Sequence, residues 1–227
     1  MHFHLPKPLH GWREFLGEVG IIVLGVLIAL AAQQLVEAAH GRSEVRSFRM
    51  SVDHELGRNL GIFQQVMVQR SCASRRLADL ERFLADSAAG RQDRIVRPIG
   101  RPFVQTGYFS VWDNKGGDVV DNLSLNLRLQ YGEIYDEFRN NEAIHLSERD
   151  VWRSLSQFQQ PEPLDHADRM RLRELLTRAE QFNASTRPNY GYILTLARPL
   201  GIKPIGDPQL KAPGPTDSFC QPLLAAK

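Results

Sequence analysis

Residues 19 to 32 read Val-Gly-Ile-Ile-Val-Leu-Gly-Val-Leu-Ile-Ala-Leu-Ala-Ala, fourteen positions without a polar side chain. This block restricts the fold more than any other stretch of the 227-residue chain. Phe15, Leu16 and Gly17 extend it backwards past Glu18, and Leu35, Val36, Ala38 and Ala39 extend it forwards past Gln33, Gln34 and Glu37. Crossing a bilayer takes about 20 residues of helix, and Phe15 to Val36 supplies them with polar groups only near the ends. Trp12 lies one turn outside, where an amphipathic ring favours the interface. A cleaved signal peptide and a buried core helix share this signature. Gln33, Gln34 and Glu37 stand where a small-residue cleavage site would have to be recognised, which favours an uncleaved anchor. The expected organisation is a tail over residues 1–14, a membrane anchor over 15–39, a helical soluble domain over 40–198 and an extended or disordered tail over 199–227.

Within the span, Glu18, Gly25, Ala29, Ala32 and Val36 fall on one helical stripe. Gly25 and Ala29 form a small-xxx-small step that lets two backbones approach in lipid, so Gly25, Ala29 and Ala32 are the expected self-association face. The competing reading is a single anchor in which Gly and Ala carry no contact. Glu18, at the end of the span, reaches headgroup water and is expected to be structural.

The soluble remainder is long enough for a real core. Hydrophobic residues make up 42% of the chain and charged residues 24%, which excludes wholesale disorder and a multi-span protein. A net charge of +2 leaves no electrostatic footprint for nucleic acid. Arg42, Arg46 and Arg49 outnumber Lys7 and Arg13 across the span, which by the positive-inside count keeps the domain cytoplasmic. A short tail before the first apolar segment is instead the usual arrangement of a signal anchor, and long domains cross largely regardless of charge. The two cysteines, Cys72 and Cys220, close a disulfide in an oxidising compartment or remain two buried thiols in a reducing one. The expected side is periplasmic.

Val45, Phe48, Val52, Leu56, Leu60, Phe63 and Met67 recur at steps of 3 and 4, the mark of an amphipathic helix. Leu77, Leu80 and Leu84 continue it to a glycine stop at Gly90. No strong breaker separates Trp12 from Gly90, so the anchor runs into a stalk about 75 Å long, with Gly57 and Gly61 as its weakest points. Residues 91–109 read as a loop with a short extended piece at Phe103-Val104, and a short helix around Ser110–Asn114 breaks at Gly116-Gly117. A second long helix is expected from Val119 to Gln159, stopped by Pro161 and Pro163. A third begins at the cap Asp165 with Asp168 in its acidic first turn, and Pro188 kinks or ends it. The fold class is mainly α: one transmembrane helix continuing into an up-down bundle of long helices, with an irregular Pro-rich C-terminal tail.

The run Gly17-Glu18, an apolar stretch, Gly25-Val26-Leu27-Ile28-Ala29-Leu30 and the later Glu37 resembles the N-terminal anchor of a family of bacterial single-pass membrane proteins of unknown function. The likeness extends to Trp112-Asp113-Asn114-Lys115-Gly116-Gly117 followed by a helix carrying Tyr131 or Tyr135. The resemblance implies a bacterial inner-membrane location and this architecture, and brings no activity with it.

Chemical motifs are fragmentary. Asp53-His54-Glu55-Leu56-Gly57-Arg58 approaches a zincin helix, but Arg58 replaces the second imidazole. His2, His4 and His10 sit in a tail next to the membrane. Asp113 to Asp118, with Asp121 beyond, suggests a calcium loop, yet Lys115 takes a ligand position and no bidentate Glu follows. Asn183-Ala184-Ser185 fits a glycosylation triplet. Glu133, Asp136 and Glu137 cluster near Tyr131 and Tyr135, and paired carboxylates do acid-base work when burial splits their pKa values. Trp112, Tyr131, Glu133, Tyr135 and Glu137 are therefore the candidate site. No cofactor or metal is expected, and the partners are the lipid bilayer and a second copy of the chain. The expected function is a non-catalytic binding, sensory or scaffolding module on a membrane anchor; the alternative is a membrane-tethered hydrolase using those carboxylates.

Overall fold

The structure, a computed structural model, describes residues 11–91, 93–159, 163–206 and 217–225. His2, His4, His10, Pro161 and the middle of the C-terminal tail lie outside them. The fold is mainly α, and among the described residues the only β pairing is an isolated antiparallel bridge between Ile95 and Leu224. Phe103-Val104 forms no strand.

Helix α1 runs without interruption from Trp12 to Ala88, 77 residues. Every described side chain from Trp12 to His40 is exposed. The helix is long and apolar enough to cross a membrane, and none of its most apolar stretch is buried. Beyond Gly41 the same helix becomes the spine of the domain, burying Val52, Leu56, Leu60, Phe63, Leu77 and Leu80 on one face. Each fully buried leucine contributes about 1.5–3 kcal/mol. Gly90, in the left-handed conformation at φ 74°, ends the helix, and the Arg91 amide donates back to the Asp86 carbonyl at 2.8 Å.

Two short helices follow the return loop, α2 (Ser110–Asp113) and α3 (Gly117–Asp121). The long helix expected from 119 to 159 is divided: α4 spans Leu125–Leu155, and one tighter turn continues it over Ser156–Gln159. The break exists because Ser124 is extended and caps α4, its hydroxyl accepting from the Leu127 amide, while Leu123 is buried. Helix α5 spans His166–Ala197, opened by reciprocal bonds between Asp165 and Asp168. Pro188 does not end it. Packing against both α1 and α4 holds it together, and Asn189 beside the proline bonds Asn141 at 3.0 Å.

Helices α1 and α4 run parallel and α5 antiparallel. Tyr131 meets Asp53 and Glu148 meets Arg70, whereas Asn183 meets Ser74 and Ile193 packs with Val52 to Phe63. The return loop therefore travels the length of the bundle. One apolar core, around Val52–Phe63, Tyr131–Phe138 and Ile193–Ala197, lies towards the exposed apolar first third of α1. The other, around Cys72–Leu84, Val151–Phe158 and Leu172–Ala179, lies at the far end. Between them Arg70 and Glu148 form a bidentate ion pair at 2.6 and 3.1 Å, and both are almost fully buried.

The C-terminal stretch departs from the expected loose tail at residues 217–225. Phe219, Cys220, Leu223 and Leu224 are buried in the far core, and Cys220 is bonded to Cys72. The Arg76 guanidinium donates to the carbonyls of Ser218 and Phe219 at 2.8 and 2.9 Å, and Asp79 accepts from the Leu223 amide at 2.7 Å. An apolar quartet with these anchors outweighs the low order expected of a Pro-rich composition.

Gly57 and Gly61, the expected weak points, are instead contact points. The Ile205 amide donates to the Gly57 carbonyl at 2.8 Å, and a Cβ at Gly61 would sit 1.9 Å from the Ile205 carbonyl oxygen. Gly61→Ala should therefore destabilise by about 1–3 kcal/mol through overpacking, despite the better helix propensity of Ala. Gly191→Ala, in α5 with nothing within 4 Å, should stabilise by up to about 1 kcal/mol. Thermal unfolding of the full chain in detergent checks the opposite signs; a stabilising Gly61→Ala contradicts the close approach.

Candidate functional site

The turns of α1 that follow its apolar first third, helix α2 and the start of α4 converge on one aromatic cluster. Trp112 stacks on Tyr135 with ring centroids 5.2 Å apart and planes at 12°, and it meets Tyr131 at 6.0 Å and Phe48 at 6.3 Å. All three members of the expected aromatic set are thus in contact. Tyr131 and Tyr135 fall four apart on α4, so both rings face α1.

Their carboxylate partners are not the expected ones. Glu133 is exposed and accepts from the Tyr192 hydroxyl at 3.0 Å. Asp136 is exposed and pairs with Arg139, while Glu137 is half-buried. The carboxylates that meet the phenols come from α1. Asp53 accepts from Tyr131 at 2.7 Å, and buried Glu55 accepts from Tyr135 at 2.7 Å. The second Glu55 oxygen accepts from the Val111 amide at 3.0 Å and the Ser110 hydroxyl at 3.2 Å. One carboxylate therefore ties α1, α2 and α4 together. A signal for it existed in the sequence: Glu55 and Asn59 lie beside Val52, Leu56 and Leu60 on the stripe that faces the core.

An open groove of about 540 Å³ runs along the outer side of this tie, lined by Met50, His54, Glu55, Arg58, Tyr108 and Ser110 among others. Arg58 caps its wall, the guanidinium 3.8 Å from the Tyr108 ring centroid. His54 is exposed there, Glu55 points inward and Arg58 stands where a second imidazole would be, so the zincin-like run holds no paired ligands. Among the described residues no three His, Cys, Asp or Glu side chains are grouped to hold a metal. In the segment read as a calcium loop, Asp113 is taken by an ion pair with Arg139, and Lys115 lies 4.5 Å over the Trp112 ring. Asn183 of the glycosylation triplet donates to Ser74 at 2.8 Å. Gly25, Ala29 and Ala32 are exposed, with nothing packed near Gly25.

The electrostatics describe ties more than reactive groups. Burial, then the hydrogen bond to Asp53, pushes the Tyr131 phenol up to about 12. Burial, then the bond to Glu55, raises that of Tyr135 as well. Both phenols stay protonated at neutral pH and act as donors. In the polar layer between the cores, burial works to raise the Glu148 carboxyl, but His145 and Arg70 together bring it below its ordinary value. His145 Nδ1 lies 3.4 Å from Glu148. Sequence reasoning missed this layer, because Arg70, His145 and Glu148 give no local pattern until α1 and α4 are paired.

The tyrosines supply a pH test. Below pH 10 both phenols are protonated in the folded and unfolded chain alike. Between pH 10 and about 12 only the unfolded chain ionises, so the stability they contribute is lost as pH rises through that window. Thermal unfolding should weaken across it, and Tyr131→Phe with Tyr135→Phe should flatten the decline. Full ionisation of all five tyrosines near pH 10 with the fold intact would contradict the buried pairing.

Compared with protein families, curated proteins and solved structures, the chain shows no match.

Proposed function

We propose that the chain is a single-pass membrane protein of the bacterial inner membrane whose helical domain is a non-catalytic binding, sensory or scaffolding module on the periplasmic side. The observation that carries this reading is the two-part character of α1. Its first third is apolar and uncovered by the rest of the chain, and its remainder is the spine of the bundle. A continuous helix with no loop between the parts couples the domain mechanically to the anchor. The Cys72–Cys220 bond supports an oxidising compartment. The tyrosines and carboxylates are engaged with each other, as expected of a scaffold. The resemblance of the Gly17–Leu30 anchor to a bacterial membrane family supports the location, and the exposed Gly25, Ala29 and Ala32 stripe supports self-association.

Alkaline phosphatase fused after Lys227, with a fluorescent-protein fusion at the same point, tests the side. Phosphatase activity without fluorescence is expected, together with retention in membranes washed with alkaline carbonate. A mobility difference on non-reducing gels should vanish in Cys220→Ser. Fluorescence without phosphatase activity would place the domain in the cytoplasm, and release by carbonate would remove the anchor. Crosslinking in membranes should show a dimer or higher species that Gly25→Leu diminishes.

A further inference from the structure

A second groove, about 590 Å³ in volume, lies lower on α1, lined by Gln34, Glu37, Gly41, Arg42, Val45 and, from the α3–α4 corner, Asn122. Its height follows from helix geometry. If the hydrocarbon core ends at Val36, then at 1.5 Å per residue Glu37 lies at its edge, Gly41 about 7 Å above it and Arg42 about 9 Å above it. The headgroup layer of one leaflet is about 5–8 Å thick. The lower part of the groove therefore stands in that layer, and the Arg42 side chain, tilted towards the helix N-terminus as helical side chains are, reaches back down into it. Asn122 closes it from the side, with its amide 3.6 Å from where a Gly41 Cβ would be.

The charged groups of the groove are one acid and one base, beside the amides of Gln34 and Asn122. Glu37 is exposed and accepts from Gln33 at 2.8 Å, which leaves carboxylate lone pairs open. Arg42 is exposed and has no ion-pair partner among the described residues. The nearby acid, Glu44, is paired with His40 at 3.1 Å. Glu37 and Arg42 line the two flanks of the groove, about 140° apart around the helix and five residues along it, so a carboxylate on one side and a guanidinium on the other complement a headgroup that carries a phosphate and a primary ammonium. We infer that this groove seats the headgroup of a zwitterionic phospholipid of the phosphoethanolamine class, with the phosphate on Arg42 and the ammonium donating to Glu37. Phosphocholine has the same charges but no N–H, so it can make the first contact and not the second. Seating a headgroup between α1 and the α3–α4 corner fixes the height of the bundle on the membrane.

The inference rests on the anchor reading, and the test separates the two. Full-length protein is reconstituted in phosphatidylcholine vesicles and floated; failure to float overturns both readings. In floated protein, a nitroxide on Asn122→Cys reports depth through relaxation by oxygen and by a water-soluble nickel chelate. Headgroup depth is expected, and exposure equal to that of a label on Arg153→Cys at the far end would overturn the seat while leaving the anchor standing. Spin-labelled lipids then measure preference. Phosphatidylethanolamine should associate about two- to five-fold more strongly than phosphatidylcholine, the range of an exposed ionic contact. Glu37→Gln should bring that ratio to about one, and Arg42→Gln should weaken both lipids. Equal association of the two lipids, or a preference for phosphatidylglycerol that persists in Glu37→Gln, would overturn the proposal.

Discussion

The unbroken backbone ladder of α1 governs the rest of the molecule. Each turn from Trp12 to Ala88 is hydrogen-bonded to the next, so no hinge separates the apolar third from the domain. An isolated helix of this length frays and bends in water. Here the upper two thirds are held by α4, α5 and the C-terminal segment, and in the proposed setting the lower third is held by lipid. A movement imposed on either part reaches the other without loss in a loop. The glycines that would weaken the ladder, Gly57 and Gly61, are covered by the backbone at Ile205.

Parallel helices without a short connection need something other than a turn to set their register. In this bundle α1 and α4 are joined by the long return, and polar contacts do the alignment. Asp53 and Glu55 bind Tyr131 and Tyr135 towards the apolar first third of α1, and Arg70 binds Glu148 about four turns further along. Buried pairs of this kind add little net stability compared with an apolar substitute, but a register slip would strand a charge in the core. Large aromatic rings on α4 fill the separation from α1 at the same levels. The far end is closed differently, by the C-terminal segment that the disulfide and Arg76 hold in place.

Much of the architecture was legible in local pattern. The apolar block, the 3-and-4 spacing from Val45 to Leu84, the Gly90 stop and the Asp165–Asp168 cap are all short-range signals, and each sits where expected. The break at Ser124 was not, and local pattern left open whether Pro188 kinks or ends its helix, because tertiary packing decides both. Ser124 reads as an ordinary helix residue until Leu123 is buried and Asn122 rests on α1. The site was half legible. Trp112, Tyr131 and Tyr135 carry their own signal as aromatic residues near a turn, while their acceptors lie about 80 residues away in sequence, beyond the reach of any spacing rule. Charge density drew attention to Glu133 and Glu137, yet density marks a solvated face more often than a buried acceptor.

Continuity of α1 across the membrane boundary is the claim on which the mechanical reading stands. Nitroxides on Ala39→Cys and Ala85→Cys, in the full chain in lipid nanodiscs, bracket the exit from the bilayer, Gly57, Gly61 and the far core. Double electron–electron resonance should give a single narrow distance distribution near 69 Å, from about 1.5 Å per residue. A broad distribution, or one centred well below that value, would show a hinge in the helix and contradict the account.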